Sequence, residues 1–166
     1  MPGNVYAGKA EEIHFLKTFN KFCLRNLDNL DKLKKIAKDA KLPNFVRNDK
    51  NASNDKYLKN ATRWPFPIEG KIYELGVNVL ANPSNKYGKI NMCLLMASGV
   101  RFDRLRDMLR RSFNGNIRET SAEPDKDGVF TVTFYVSTSR SVNDFGIFLR
   151  KNLQGGLSLV GVKVYN

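Results

Sequence analysis

The sequence predicts an α+β fold: an antiparallel sheet in the ferredoxin-like order β-α-β-β-α-β, with an extra N-terminal strand and an N-terminal helical appendage. Three observations lead there. Apolar residues recur every three or four positions over residues 9–41. From residue 71 onward short runs alternate apolar with polar residues, the period of a half-buried strand. Among those runs, two stretches return to helical spacing.

In order, Ile13, Leu16, Phe19, Cys23, Leu27, Leu30, Leu33, Ala37 and Ala40 share one helical stripe. Asn26-Leu27-Asp28-Asn29 is poor helix interior and divides the segment, with Asp28 expected to cap the second helix and Asp31 to supply an acid in its first turn. Leu42-Pro43 ends it, because the residue before proline is pushed out of the helical region. Three regions follow: residues 1–42 helical, 43–70 a loop or linker, and 71–166 the α+β domain. The loop is anchored by Phe45, Tyr57, Trp64 and Phe66; residues 54–63 suit a short helix, and Trp64-Pro65-Phe66-Pro67 is extended.

In the third region Tyr73, Leu75, Val77 and Val79 mark a strand, residues 83–88 a turn, and Ile90 to Ala97 a central strand. Phe102, Leu105, Met108, Leu109 and Phe113 mark a helix stopped by Asn114-Gly115. A weak strand over 116–121 leads through the turn Asp125-Lys126-Asp127-Gly128 to a strong strand, Phe130 to Val136. Ser141-Val142-Asn143-Asp144 has the form of a capping box, and Val142, Phe145, Phe148, Leu149 and Leu153 give a second helix face, ended by Gly155-Gly156. Val160, Val162 and Val164 form the last strand. One tension is built in. The short turn favours a hairpin of strand 71–80 with strand 90–97, whereas the ferredoxin-like order needs both flanks of strand 90–97 for later strands.

Catalytic chemistry finds little support. Gly3-Asn4-Val5-Tyr6-Ala7-Gly8-Lys9 has the skeleton of a phosphate loop, but Ala10 stands where a magnesium-binding hydroxyl belongs and no strand precedes it. His14 is the single histidine, and Cys23 lies about half a turn round the same helix. Cys23 and Cys93 read as buried packing residues in a reducing, cytoplasmic setting, a host cytoplasm or virion included. Asp103 and Asp107 share a helix face among arginines, which favours ion pairs over a metal. The expectation is no enzyme, no cofactor and no metal. No apolar run is long enough to span a bilayer, so no membrane partner is expected.

Charge is the informative feature. Lys and Arg number 28 against 16 acids, a net charge of +12. Fourteen cations meet eight acids both in residues 1–70 and in residues 71–166, so the excess is not confined to a tail. Six arginines, Arg101, Arg104, Arg106, Arg110, Arg111 and Arg118, fall within one short stretch, and guanidinium forks grip phosphate bidentately. A second basic face is expected from Lys32, Lys34, Lys35, Lys38 and Lys41.

The stretch Lys126 to Phe134 resembles a strand of the RNA-recognition-motif family, with Phe130, Val132 and Phe134 at that family's inward positions. At the positions where that family stacks bases stand Val129 and Thr131, and Asn91 and Cys93 offer no ring on strand 90–97. Tyr135, Tyr165 and Lys163 either form a modest platform on an open face or pack beneath the N-terminal helices. The expected function is non-enzymatic binding of RNA or DNA through backbone phosphates, by the six arginines together with Lys34, Lys35 and Lys38. The alternative is a structural component of a viral particle or other large assembly, with copies of itself or other proteins as partners.

Overall fold

The computed structural model describes residues 3–43, 61–86, 88–113, 116–121, 124, 128–137, 145–151 and 156–165. Helix α1 (Gly3–Thr18) runs into a π-helical turn (Phe19–Cys23) and a 3₁₀ turn (Leu24–Asn26), followed by α2 (Leu30–Asp39). Strands β1 (Thr62–Ile68), β2 (Lys71–Ala81) and β3 (Lys89–Ala97) precede helix α3 (Phe102–Ser112). Strands β4 (Ile117–Ser121), β5 (Phe130–Val136), β6 (Phe145–Lys151) and β7 (Leu157–Tyr165) complete the chain.

The strands form one seven-stranded sheet in the order β1-β2-β3-β7-β6-β5-β4, antiparallel throughout. The expected α+β class holds, but the ferredoxin-like order does not. Residues 145–151 form strand β6 instead of a helix. Phe145, Ile147 and Leu149 face the main core with strand period, while Phe148 packs in a second apolar cluster on the other face. A strand apolar on both faces imitates a helical stripe, and that is how the spacing misled. The expected hairpin does form, with Val77 opposite Cys93, and it takes one flank of β3; β7 takes the other, with Gly161 opposite Cys93. Helix α3 then carries the chain to the far edge, and β4 to β7 meander back to β3. The capping box Ser141 to Asp144 lies outside the described residues, as do residues 44–60 of the expected loop.

Part of that loop is strand. β1 is the edge beside β2, joined by the two-residue turn Glu69-Gly70, both at positive φ (48° and 78°). Such a turn matches the right-handed twist of paired strands. Pro65 and Pro67 are tolerated because an edge strand leaves alternate N–H groups unpaired.

All three helices pack on one face. Phe15, Phe19, Leu27 and Leu33 share a buried core with Trp64, Leu75, Leu95 and Leu159 of the sheet and with Leu105 and Leu109 of α3. Gly161 lets the helices approach closely, since a Cβ there would lie 3.1 Å from Leu24 Cδ2 and 3.5 Å from Phe19 Cζ. At this contact Cys23 and Cys93 form a disulfide, both fully buried. They are therefore bonded to each other and are not the independent packing residues the sequence suggested. The expected cap Asp28 also has another role. Asn29 is the N-cap of α2, and Asp28 instead takes hydrogen bonds from Lys163 Nζ (2.5 Å) and the Tyr165 hydroxyl.

The opposite face has its own apolar centre. Met92, Leu94, Val160 and Val162 are buried there, with Leu80, Ile90, Met96 and Phe148 packed against them. Beside this centre the buried Arg63 pairs with the partly buried Glu74 (2.8 Å).

Candidate nucleic-acid interface

The predicted cations divide by what they touch. α3 buries Leu105 and Leu109 and so turns Arg106 and Arg110 toward β4, where Glu119 stands. Arg106 Nε donates to Glu119 Oε1 at 2.5 Å, and Arg110 donates to both carboxylate oxygens. Arg110 also pairs with Asp107 at 3.2 Å. The Arg110 hydrogen bond, reinforced by Arg106 and opposed by burial, holds the Glu119 carboxyl below the usual carboxylate range. These two guanidinium groups are thus already engaged by an anion.

Arg104 lies 3.8 Å from Glu12, a fully buried carboxylate of α1. Glu12 also accepts the backbone N–H of Arg101 (3.1 Å), fixing the start of α3 against α1. Arg101 itself is exposed, in a cleft of 370 Å³ lined with Asp103, Phe102 and Lys151. Arg111 is exposed with no acidic partner among the described residues. Arg118 belongs elsewhere. β4 places it on the opposite face of the sheet, its guanidinium carbon 5.0 Å from the centre of the Tyr135 ring. The six arginines therefore form no single patch.

On the helices, Lys34 pairs with Asp31 (3.7 Å) and Lys35 with Asp39 (2.7 Å), both exposed pairs of small energetic weight. Lys38 is exposed and meets no acid among the described residues. A stripe that the residue-type count did not single out precedes α2 in the chain. Lys17, Lys21 and Arg25 are exposed at four-residue spacing on the run whose other side buries Phe15, Phe19 and Cys23. The signal was present in the sequence as the polar complement of the apolar stripe. With Lys38, Lys32 and Lys41, also exposed, these residues give the helix layer six cations that meet no acid among the described residues, alongside exposed Asp28, Asp31 and Asp39.

The tyrosine platform splits. Lys163 and Tyr165 face the helices and hold Asp28, and burial followed by the Asp28 hydrogen bond pushes the Tyr165 hydroxyl up to about 12. Tyr135 lies on the other face and is 46% exposed. Asn91 and Cys93 point toward the helices: Asn91 donates to the Leu27 carbonyl at 2.8 Å.

The remaining candidates resolve as structure. The backbone of Gly3 to Lys9 is helical and forms no phosphate loop. His14 does not meet Cys23; its Nδ1 bonds the Tyr73 hydroxyl and its Nε2 lies 3.2 Å from Glu69. Burial, chiefly, raises the Tyr73 hydroxyl above its usual value, and at 5% exposure Tyr73 presents no surface to a substrate. This chain ties α1 to the β1–β2 turn. No group of His, Cys, Asp and Glu suited to a metal ion occurs among the described residues. No helix among the described residues is long and apolar enough to cross a membrane.

No family model, curated protein or solved structure matches the chain.

Proposed function

We propose that the protein is a non-enzymatic binder of nucleic acid that holds backbone phosphates with little sequence preference. One observation carries this reading: Lys17, Lys21, Arg25, Lys32, Lys38 and Lys41 are exposed on the helix layer and have no acidic partner among the described residues. Two helices locked to the sheet by buried stripes and a disulfide hold these cations in place. Cations carried on a fixed backbone and left unneutralised by the fold gain most from a polyanion, because each phosphate contact releases condensed counterions. The reading moves the centre of binding away from Arg106 and Arg110, which Glu119 engages, and keeps Lys38 within it.

The test is a gel-shift series on duplex DNA with Lys17→Glu/Lys21→Glu/Arg25→Glu, beside Arg106→Gln/Arg110→Gln, with thermal melts to confirm folding. The helix-layer variant is expected to lose affinity by roughly two orders of magnitude, the loss of three phosphate contacts. The α3 variant is expected to lose far less. Wild-type affinity in the folded helix-layer variant would overturn the proposal.

A further inference from the structure

The sequence holds two cysteines, and the fold puts one on each side of its main interface. Cys23 ends the π-helical turn of the N-terminal helices, and Cys93 lies in the middle of β3. All seven strands of the sheet lie beyond residue 61, so the helical residues 3–39 contribute none of them. The bond ties one layer to the other across 70 residues of sequence.

What lies around the bond decides when it can form. Both cysteines are fully buried. Gly161 stands opposite Cys93, and Leu24 and Phe19 close over that glycine. Two residues before Cys93, Asn91 donates to the Leu27 carbonyl at 2.8 Å. Lys163, opposite Asn91, holds Asp28. Contacts from residues 19–28 thus meet β3 and β7 at and beside Cys93. Exchange of a disulfide requires a third sulfur to reach one of the two it joins. A closed helix layer denies that approach.

We infer that the chain is a substrate of thiol–disulfide exchange in an oxidising compartment, and that the bond is made before the N-terminal helices close on the sheet. One cysteine thiolate attacks the disulfide of an oxidant, either glutathione disulfide or a protein disulfide. A mixed disulfide forms and one thiol of the oxidant leaves. The other cysteine thiolate then attacks the chain's own sulfur in that mixed disulfide and expels the second thiol. Two cysteine thiols become one disulfide, and the oxidant gains their two protons and two electrons as it becomes two thiols. Two cysteines allow one pairing within the chain, so the step needs an oxidant and no isomerase. Closure of the helices then shields the bond from reduction. A reducing compartment, the setting read from the sequence, keeps such cysteines as thiols, and the bond places maturation elsewhere. The inference stands apart from the nucleic-acid reading, because it uses none of the exposed cations.

Two measurements on the full chain test its two halves. The first compares the chain made in a bacterial cytosol with the same chain exported to the periplasm. Acid quenching, alkylation and peptide mass spectrometry read the state of each cysteine. The exported chain is expected to yield the Cys23–Cys93 peptide pair, and the cytosolic chain two alkylated thiols. The bond in both compartments, or in neither, would overturn the oxidising-compartment inference. The second adds dithiothreitol to the purified, bonded protein in native buffer and in urea. A small-molecule disulfide in the same solutions corrects for the effect of urea on the exchange itself. Reduction in native buffer is expected to be slower by about a hundredfold or more, because attack waits for the helix layer to open. This comparison starts from the bonded chain and so does not depend on whether the reduced chain folds. Equal rates would show that the sulfurs are reachable in the closed fold and would overturn the order of events.

Discussion

Glu119 sets how far the arginine-rich helix is available to a ligand. Its carboxylate accepts from two guanidinium groups at once, so Arg106 and Arg110 enter any encounter already paired. Glu119→Gln keeps the shape of the side chain and removes its charge. Two consequences follow at this one residue. The Glu119 carboxyl is depressed in the folded chain, so its contribution to stability is present above the ordinary glutamate value near 4.3 and is lost as pH falls through the lowered folded value. The Gln variant is therefore expected to melt a few degrees below wild type at neutral pH, and the difference is expected to close as pH falls below about 4. A gap unchanged across that range would show that the charge contributes nothing. Released from Glu119, the two arginines are also expected to raise affinity for duplex DNA and steepen the salt slope by about one to two. Gel shifts at several salt concentrations check this, and an unaltered slope would mean that α3 faces no phosphate.

At the scale of elements, the join between the helix layer and the sheet is covalent as well as apolar. Cys23 and Cys93 are separated by 70 residues in sequence, and closing a loop of that length restricts the unfolded chain by about 4 kcal/mol in the chain-entropy account. Cys23→Ala/Cys93→Ala is expected to lose stability of that order in denaturant unfolding, and reductant is expected to lower the midpoint of the wild type alone. Rapid alkylation of both thiols in the unfolded, unreduced wild type would show that the bond is absent. The same join marks what the sequence could convey. The helical stripe, its break near residue 26, the antiparallel strands and the 71–97 hairpin were legible because each follows from local period or a short turn. The disulfide was not, because it depends on which strand lies under the π-helical turn, a long-range fact. β6 was misread for a related reason: Phe148 and Leu149 serve opposite faces of the sheet, and adjacent apolar residues carry no label for the face each will cover. The cationic helix face was legible as the complement of the apolar stripe. The Arg118–Tyr135 pair was not, because it requires the register of β4 on β5.

For the whole molecule, the sheet is a partition. The cationic helix layer lies on one side and the Arg118–Tyr135 pair on the other, so a phosphate held by the first does not reach the second through the sheet. Salt dependence should therefore report the helix layer. A duplex lying on the helix layer meets up to six unpaired cations, Lys17, Lys21, Arg25, Lys32, Lys38 and Lys41. If all six engage phosphates, log affinity should fall with log salt at a slope of about −5. Titrations of a duplex between low and moderate salt check this. A duplex affinity that salt leaves unchanged would remove the electrostatic premise altogether, because a surface built to meet phosphates must compete with small ions for them.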